Sequence, residues 1–251
     1  MGNFFPRWVN WIPLKAIFGL SVAGMLAVPA IWYTATQKYT RVGYQPQQPI
    51  PFDHSIHAGQ LGMDCRYCHS FVENSKHSNV PVAEMCWNCH KTIRTNSDKL
   101  VKLREAVDTT YDGYTGKRLQ WVQIHETPDY AYFDHSVHVN RGVSCLECHG
   151  KVNEMKVVRQ EQSLSMGFCL DCHRNPEKHL RPLDEIANLD WTAEDVDRHE
   201  FFKYLAEKTG KTAKEFAGVD KEGPLTREEI GAGLKQAWNV NPPENCTTCH
   251  R

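Results

Sequence analysis

The chain is constrained most by a five-residue pattern, Cys-x-x-Cys-His, which occurs five times and accounts for all ten cysteines. We call these copies the first to fifth motifs, in chain order. The pattern is typical of c-type haem attachment, in which two thiols bind the haem and the histidine becomes the proximal ligand of the iron. The sequence therefore predicts five covalently bound haem c groups, on the cysteine pairs Cys65/Cys68, Cys86/Cys89, Cys145/Cys148, Cys169/Cys172 and Cys246/Cys249, with the proximal ligands His69, His90, His149, His173 and His250.

Two other roles for paired cysteines are less well supported. Structural zinc would suit the first four pairs, which are spaced as in zinc ribbons, but the fifth pair has no second pair to complete a zinc site. Histidine makes up only 13 of 251 residues, so its presence after every pair favours haem over zinc. Structural disulfides are disfavoured because closely spaced Cys-x-x-Cys pairs have poor geometry for them.

Beyond residue 40 the sequence is polar and is broken often by proline and asparagine. Such a chain has little apolar surface to bury, so we expect the haems themselves to form the core. The predicted fold is a multihaem cytochrome c of low regular secondary structure, with a few short helices packed around five covalent haems and one N-terminal transmembrane helix. The net charge of −1 gives no reason to expect a nucleic-acid partner.

Residues 1–40 are predicted to form a transmembrane anchor. An uncharged run over residues 16–37 would span about 33 Å as a helix, which is enough to cross a bilayer. The alternative is a signal peptide cleaved near Ala30. Because haem is attached outside the energised membrane, we expect a single pass through the inner membrane with the haem domain on the periplasmic side.

An internal repeat organises the remainder of the chain. The string Phe52–His57 recurs as Phe133–His138, with a single difference between Ile56 and Val137, and each copy precedes two motifs. The predicted order is a Pro-rich linker (41–51), a first dihaem module (52–96), a connecting segment (97–131), a second dihaem module (132–180), a haem-free helical segment (181–240) and the fifth-haem site (241–251).

Three helices are predicted outside the motifs. In the connecting segment, Ser97 is placed to cap a helix with apolar residues from Leu100 to Val107. In the haem-free segment, Thr192–Asp195 is predicted to start a helix that Gly210 ends, and Thr226–Glu229 to open another that runs to about Trp238.

Four histidines of the repeat are candidates for the distal side of the irons. A spacing of three places both imidazoles of each copy on one side of a helical turn, from which they can reach two adjacent haems. The predicted distal ligands are His54, His57, His135 and His138. The fifth distal ligand stays open between His179, His77 and His125, in that order of preference, and the thioethers of Met155 and Met166.

The whole pattern resembles the pentahaem cytochrome c subunit of alternative complex III. The resemblance covers nearly the whole chain and is carried by the duplicated modules, the strings Trp121–His125 and Leu164–Cys169, and the terminal Cys246–Arg251. It implies a quinol-oxidising membrane complex that delivers electrons to a periplasmic carrier or a terminal oxidase. It also implies partners, namely an iron–sulfur subunit, polytopic quinol-binding subunits and a monohaem cytochrome c.

The favoured function is electron relay without bond-making chemistry, because an iron with two protein ligands has no free position for a substrate. The chain would therefore have no catalytic residues and would not be an enzyme in isolation. Two alternatives are a reductase of nitrite or a similar oxyanion, which needs one open iron, and a membrane-anchored multihaem quinol dehydrogenase.

Overall fold

The computed structural model of this protein describes residues 5–216 and 222–250. The parts of the predicted anchor, haem-free segment and fifth-haem site at residues 1–4, 217–221 and 251 lie outside the described residues. The chain divides into two compact units, one up to Val42 and one from Gly43 onward.

The first unit is built on one long helix, α1, which covers Ile12–Thr40 and follows a 3-10 turn at Arg7–Trp11. Within Arg7–Tyr33, a window of 18 residues has a mean hydropathy of 1.9, and none of that window is buried within the protein. Its length and composition are sufficient to cross a membrane, although a signal sequence near an N-terminus has the same properties.

The second unit is helical, and its described residues contain no β-strand; the one β-bridge joins Val143 to Leu180. Its helices are short, as predicted. They are α2 (Cys65–Cys68), α3 (Ala83–His90), α4 (Val101–Val107), α5 (His135–Val139), α6 (Cys145–His149), α7 (Met166–Arg174), α8 (Arg198–Thr209), α9 (Arg227–Ala237) and α10 (Cys246–Cys249). Short 3-10 turns lie between several of these helices, and a π-helical turn covers Ser55–Gln60.

The expectation that the haems alone would form the core is wrong for the haem-free segment. This segment contributes most of an apolar core in which α8 and α9 pack together. Each buried side chain of this kind stabilises the fold by about 1.5–3 kcal/mol. The core residues are Leu180, Trp191, Phe201, Phe202, Leu205, Phe216, Leu225, Ile230, Leu234 and Val240.

The ends of α8 and α9 follow from local chemistry. Helix α9 begins as predicted, with a capping box between Thr226 and Glu229, and its last residue is Ala237. The predicted start of α8 is wrong. Thr192 and Asp195 do form a capping box, but this box begins a 3-10 turn, and α8 begins later, where the side chain of Asp197 caps it. Gly210 ends α8 in the left-handed conformation (φ 67°), which glycine adopts without steric cost.

A smaller apolar cluster ties the connecting segment to the second motif. Leu100 and Leu103 are buried with Ile50, and Cys86 and Trp87 of the second motif pack against them. The predicted helix is present as a 3-10 turn that continues into α4, but the side chain of Ser97 makes no capping hydrogen bond.

Candidate haem-binding sites

The two cysteines of each motif lie on a short helix, and this fixes the separation of the two thiols. A polar side chain immediately before the helix accepts a hydrogen bond from a backbone N–H of the first turn in four of the five motifs. The capping residues are Asp64, Ser144, Ser165 and Asn245; Ser165 precedes the fourth motif by a full helical turn, and the others by one residue. The second motif lies at the end of α3, where Val82 provides no side-chain cap.

The ten thiols are arranged neither as disulfides nor as zinc sites. All ten cysteines are free. Among residues 5–216 and 222–250, no group of three or more His, Cys, Asp and Glu side chains converges as a metal ion bound by the protein alone would require. The donors therefore suit a cofactor that brings most of its own ligands to the metal, as a porphyrin does.

Four of the five predicted proximal histidines are oriented by a backbone carbonyl. The Nδ1–H groups donate to Asn79 O from His69 (2.7 Å), Ile93 O from His90 (3.1 Å), Pro243 O from His173 (2.7 Å) and Tyr130 O from His250 (3.1 Å). Because a carbonyl oxygen only accepts, Nδ1 carries the proton and Nε2 keeps the lone pair that a metal needs. These rings are held in the tautomer of an iron ligand.

Three of the predicted distal histidines have the same orientation. His57 donates to Asp53 O (2.8 Å), and His138, its counterpart in the repeat, donates to Asp134 O (2.7 Å). His135 donates to Lys76 O (2.7 Å), so the first module orients a histidine of the second.

Three pairs of rings are separated by the distance that an iron between them requires. The ring centres are 6.2 Å apart for His57 and His90, 6.4 Å for His135 and His149, and 6.2 Å for His138 and His173. Two metal–nitrogen bonds of about 2.0 Å, with about 1.1 Å from each nitrogen to its ring centre, add to about 6.2 Å. The structure thus brings together a distal and a proximal candidate at the second, third and fourth motifs.

His54 lies at the first motif. Burial, followed by the charge on nearby His69, lowers the pKa of His54 to about 4. Its Nδ1 is buried and has no hydrogen-bond partner in the protein. A buried, neutral imidazole with an unsatisfied nitrogen fits a metal ligand, since such a group is costly unless something binds it.

Two of the three histidine candidates for the fifth distal position lie at the third motif. His179 donates from Nδ1 to the carboxylate of Glu147 (2.7 Å), inside that motif. The ring of His125 contacts that of His149 edge-on, with centres 4.2 Å apart, which is too short for an iron between them.

The remaining candidates lie in different places: His77 follows a residue that contacts the surroundings of the fifth motif, Met166 lies beside the fourth motif, and Met155 lies at the first module. Lys76, which precedes His77, lies over the ring of Tyr132 (5.9 Å), and Tyr132 donates its N–H to Cys249 O (2.7 Å). Met166 is exposed on α7, three residues before Cys169. Met155 is buried and accepts through its carbonyl from Ser55 N, at the first module.

Two features of these sites were not anticipated from the sequence. Phe52 stacks on His57 and meets His54 edge-on, and Phe133 does the same with His138 and His135. The sequence signal for these ring contacts was the phenylalanine that precedes the histidines in both copies of the repeat.

The second unanticipated feature is the ion cluster around Glu147. This carboxylate contacts His179, Arg227 and Arg181, and Arg181 is 1% exposed. Burial would raise the pKa of Glu147, but the hydrogen bond from His179 and the charge of Arg227 outweigh it and lower the pKa. The sequence offered no signal for this cluster, because Glu147, His179 and Arg227 are far apart in the chain.

The burial of His125 predicts that acid destabilises the fold. Burial lowers the pKa of His125 to about 4. Since an unfolded histidine titrates near 6.5, the stability due to this neutral ring is fully present above pH 6.5 and is lost progressively toward pH 4. Chemical unfolding of the holoprotein between pH 8 and 4 measures this, with His125→Asn expected to reduce the acid slope and His199→Ala, at an exposed position, to leave it unchanged. Greater stability at pH 5 than at pH 7 would contradict the prediction.

Comparisons with known proteins show that the chain is similar to multihaem cytochromes c. Residues 131–251 match the family described as cytochrome c7 and related cytochrome c. The chain is also 30% identical over 159 residues to the protein named menaquinone reductase, multiheme cytochrome c subunit, of Nitratidesulfovibrio vulgaris. That similarity covers 54% of this chain and 71% of the relative.

Proposed function

We propose that this chain, which belongs to the multihaem cytochrome c family, relays electrons within a quinone-linked respiratory complex. The observation that carries the proposal is the pairing of histidine rings at iron-spanning distance at three motifs. The relative's name, which describes a subunit of a menaquinone reductase, supports the link to quinone.

The residues of the chain hold and orient the cofactor. The ten cysteines would bind five haems covalently, the five motif histidines would ligate the irons from one side, and His54, His57, His135 and His138 would ligate four of them from the other. When bound, haem c accepts and releases one electron at its iron. Backbone carbonyls keep Nδ1 protonated in seven of these nine histidines.

Paired histidines favour relay over reduction of an oxyanion. An iron held on both sides has no open position at which nitrite could bind. For the iron at the fifth motif, the same argument requires a distal ligand, which the substitutions described below identify. A high-spin iron that binds nitrite or cyanide in the wild-type protein would favour the reductase instead.

We propose more specifically that the chain is the pentahaem subunit of alternative complex III, on the resemblance of its motifs and repeat. In that role α1 would anchor it in the inner membrane, with the second unit on the periplasmic side. Its partners would be an iron–sulfur subunit, polytopic quinol-binding subunits and a monohaem cytochrome c, and electrons would pass from quinol toward a periplasmic carrier or an oxidase.

The opposite direction of flow is the second candidate. The relative is named for the reduction of menaquinone, so its complex delivers electrons to a quinone. A chain in such a complex would receive electrons from a periplasmic donor.

The test is performed on the complex purified from membranes with its native partners. Addition of a menaquinol should reduce the haems in seconds if the complex oxidises quinol, and an inhibitor of the quinol site should prevent this. Reduction by a periplasmic cytochrome, followed by quinone reduction, would establish the opposite direction. Quinol oxidation by this chain without partners would instead identify it as the quinol dehydrogenase.

The fifth distal ligand can be identified by substitution. We expect either His77→Ala or Met166→Ala to convert one iron to high spin, because Lys76 joins the segment of His77 to the fifth motif through Tyr132. The helix that carries Met166 is likewise bonded to Pro243 and Glu244, just before the fifth motif. Electron paramagnetic resonance of the oxidised holoprotein measures the change, and a raised potential at one haem in the wild type would favour the methionine. Conversion in His179→Ala with neither of these variants affected would contradict the placement.

Replacing residues 1–40 with a cleavable export signal, which still delivers the chain to the compartment where haem is attached, tests the anchor. We expect the truncated chain to be released as a soluble red protein, since the only long apolar helix among the described residues is α1. Fractionation of cells into membrane and periplasm measures this. A truncated chain that still sediments with membranes would show that partner subunits hold it there.

A further inference from the structure

Contacts between the motifs define which sites are neighbours. Phe52 is 4.3 Å from the ring of His57 and 4.7 Å from that of His54, measured between ring centres. His57 faces His90 of the second motif, and His54 lies beside His69 of the first. One phenylalanine therefore separates the second site from the first.

The first and third motifs meet at the segment Ile186–Ala187. The thiol of Cys65 lies 3.9 Å from Ala187 O, and Cys145 donates its N–H to Ile186 O (3.2 Å). This contact joins the two modules.

The third and fourth motifs repeat the geometry of the first pair. Phe133 is 4.9 Å from the ring of His135, which faces His149, and 4.5 Å from that of His138, which faces His173.

The fourth and fifth motifs are joined through the residues that precede the fifth. His173 donates to Pro243 O (2.7 Å), and Arg174 forms an ion pair with Glu244 (3.1 Å). Burial, followed by the thiol of Cys249, raises the pKa of Cys169.

We infer that the five attachment sites form a single file in the order second, first, third, fourth, fifth, which differs from their order in the chain. The second and fifth sites are then its two ends. Cys89 and Cys246, one in each of these motifs, are the two exposed cysteines of the ten. If the chain is a relay, which rests on the proposed function, one-electron partners meet it at these two ends.

Pulsed electron paramagnetic resonance on the full-length holoprotein tests the order. His57→Ala and His54→Ala each create one high-spin iron, at the second and first sites respectively. We expect dipolar coupling to one nearest iron in His57→Ala and to two in His54→Ala. Two near neighbours at the second site, or one at the first, would overturn the order.

The iron positions in the unmodified protein provide a second measurement that does not depend on how the variants fold. Anomalous scattering at the iron edge, with each iron assigned by its thioether bonds, should place the second and fifth irons at the ends. A branched arrangement, or the first or third iron at an end, would overturn the inference. Neither measurement uses electron transfer, so the order can fail while the relay stands, and the reverse.

Discussion

Replacing His57 with alanine converts one of the five irons from low spin to high spin and leaves haem attachment intact. His57 faces His90 with ring centres 6.2 Å apart, and its Nδ1 is fixed on Asp53 O, so Nε2 is the nitrogen that would bind an iron between the two rings. Attachment depends on Cys86 and Cys89, which the substitution leaves in place. Absorbance and electron paramagnetic resonance of the oxidised protein measure the change, and added imidazole should restore the low-spin signal.

The matched control is His199→Ala. His199 is an exposed histidine on α8, within the haem-free segment, and its removal should leave all irons low spin. A fully low-spin spectrum in His57→Ala would remove His57 from the ligand set. It would also remove the argument from ring separation, on which His135 and His138 equally depend.

Gly231→Ala is expected to lower the free energy of unfolding by about 3 kcal/mol, because overpacking at this backbone contact forces α9 away from the turn on which it packs. A Cβ at Gly231 would overlap the carbonyl oxygen of Glu177, where α9 packs on the turn Pro176–Lys178. An ion pair stabilises the same contact, since Nζ of Lys235 lies 2.8 Å from the Glu177 carboxylate. Denaturant unfolding of the holoprotein measures the loss.

Ala232→Ser is the control for this substitution. Ala232 is the exposed neighbour on the same helix, so serine there should cost only about 0.5 kcal/mol, its lower helix propensity. If Gly231→Ala were as mild as this control, α9 would not pack on that turn as closely as described.

The motifs and the repeat allowed much of the candidate site to be predicted, because covalent haem attachment needs a fixed local spacing. The two histidines of each copy, three residues apart, do lie on one helical turn, and the phenylalanine before them is part of the same local structure. The capping box at Thr226 likewise located α9 without any long-range information.

The remainder depends on contacts between distant parts of the chain. Which motif each distal histidine faces is set by pairings such as His135 with Lys76, 59 residues apart. The apolar core was missed because its members, from Leu180 to Val240, are scattered among polar residues without a long periodic run. The ion cluster of Glu147 could not be predicted from the sequence either, since Arg227 lies 80 residues after Glu147.

Bound haem per polypeptide tests the central claim most directly, through the mass of the intact mature chain together with a metal assay. The account predicts five haems retained after denaturation, as covalent thioethers require, and five irons per chain. A bare polypeptide mass, or zinc in place of iron, would contradict it.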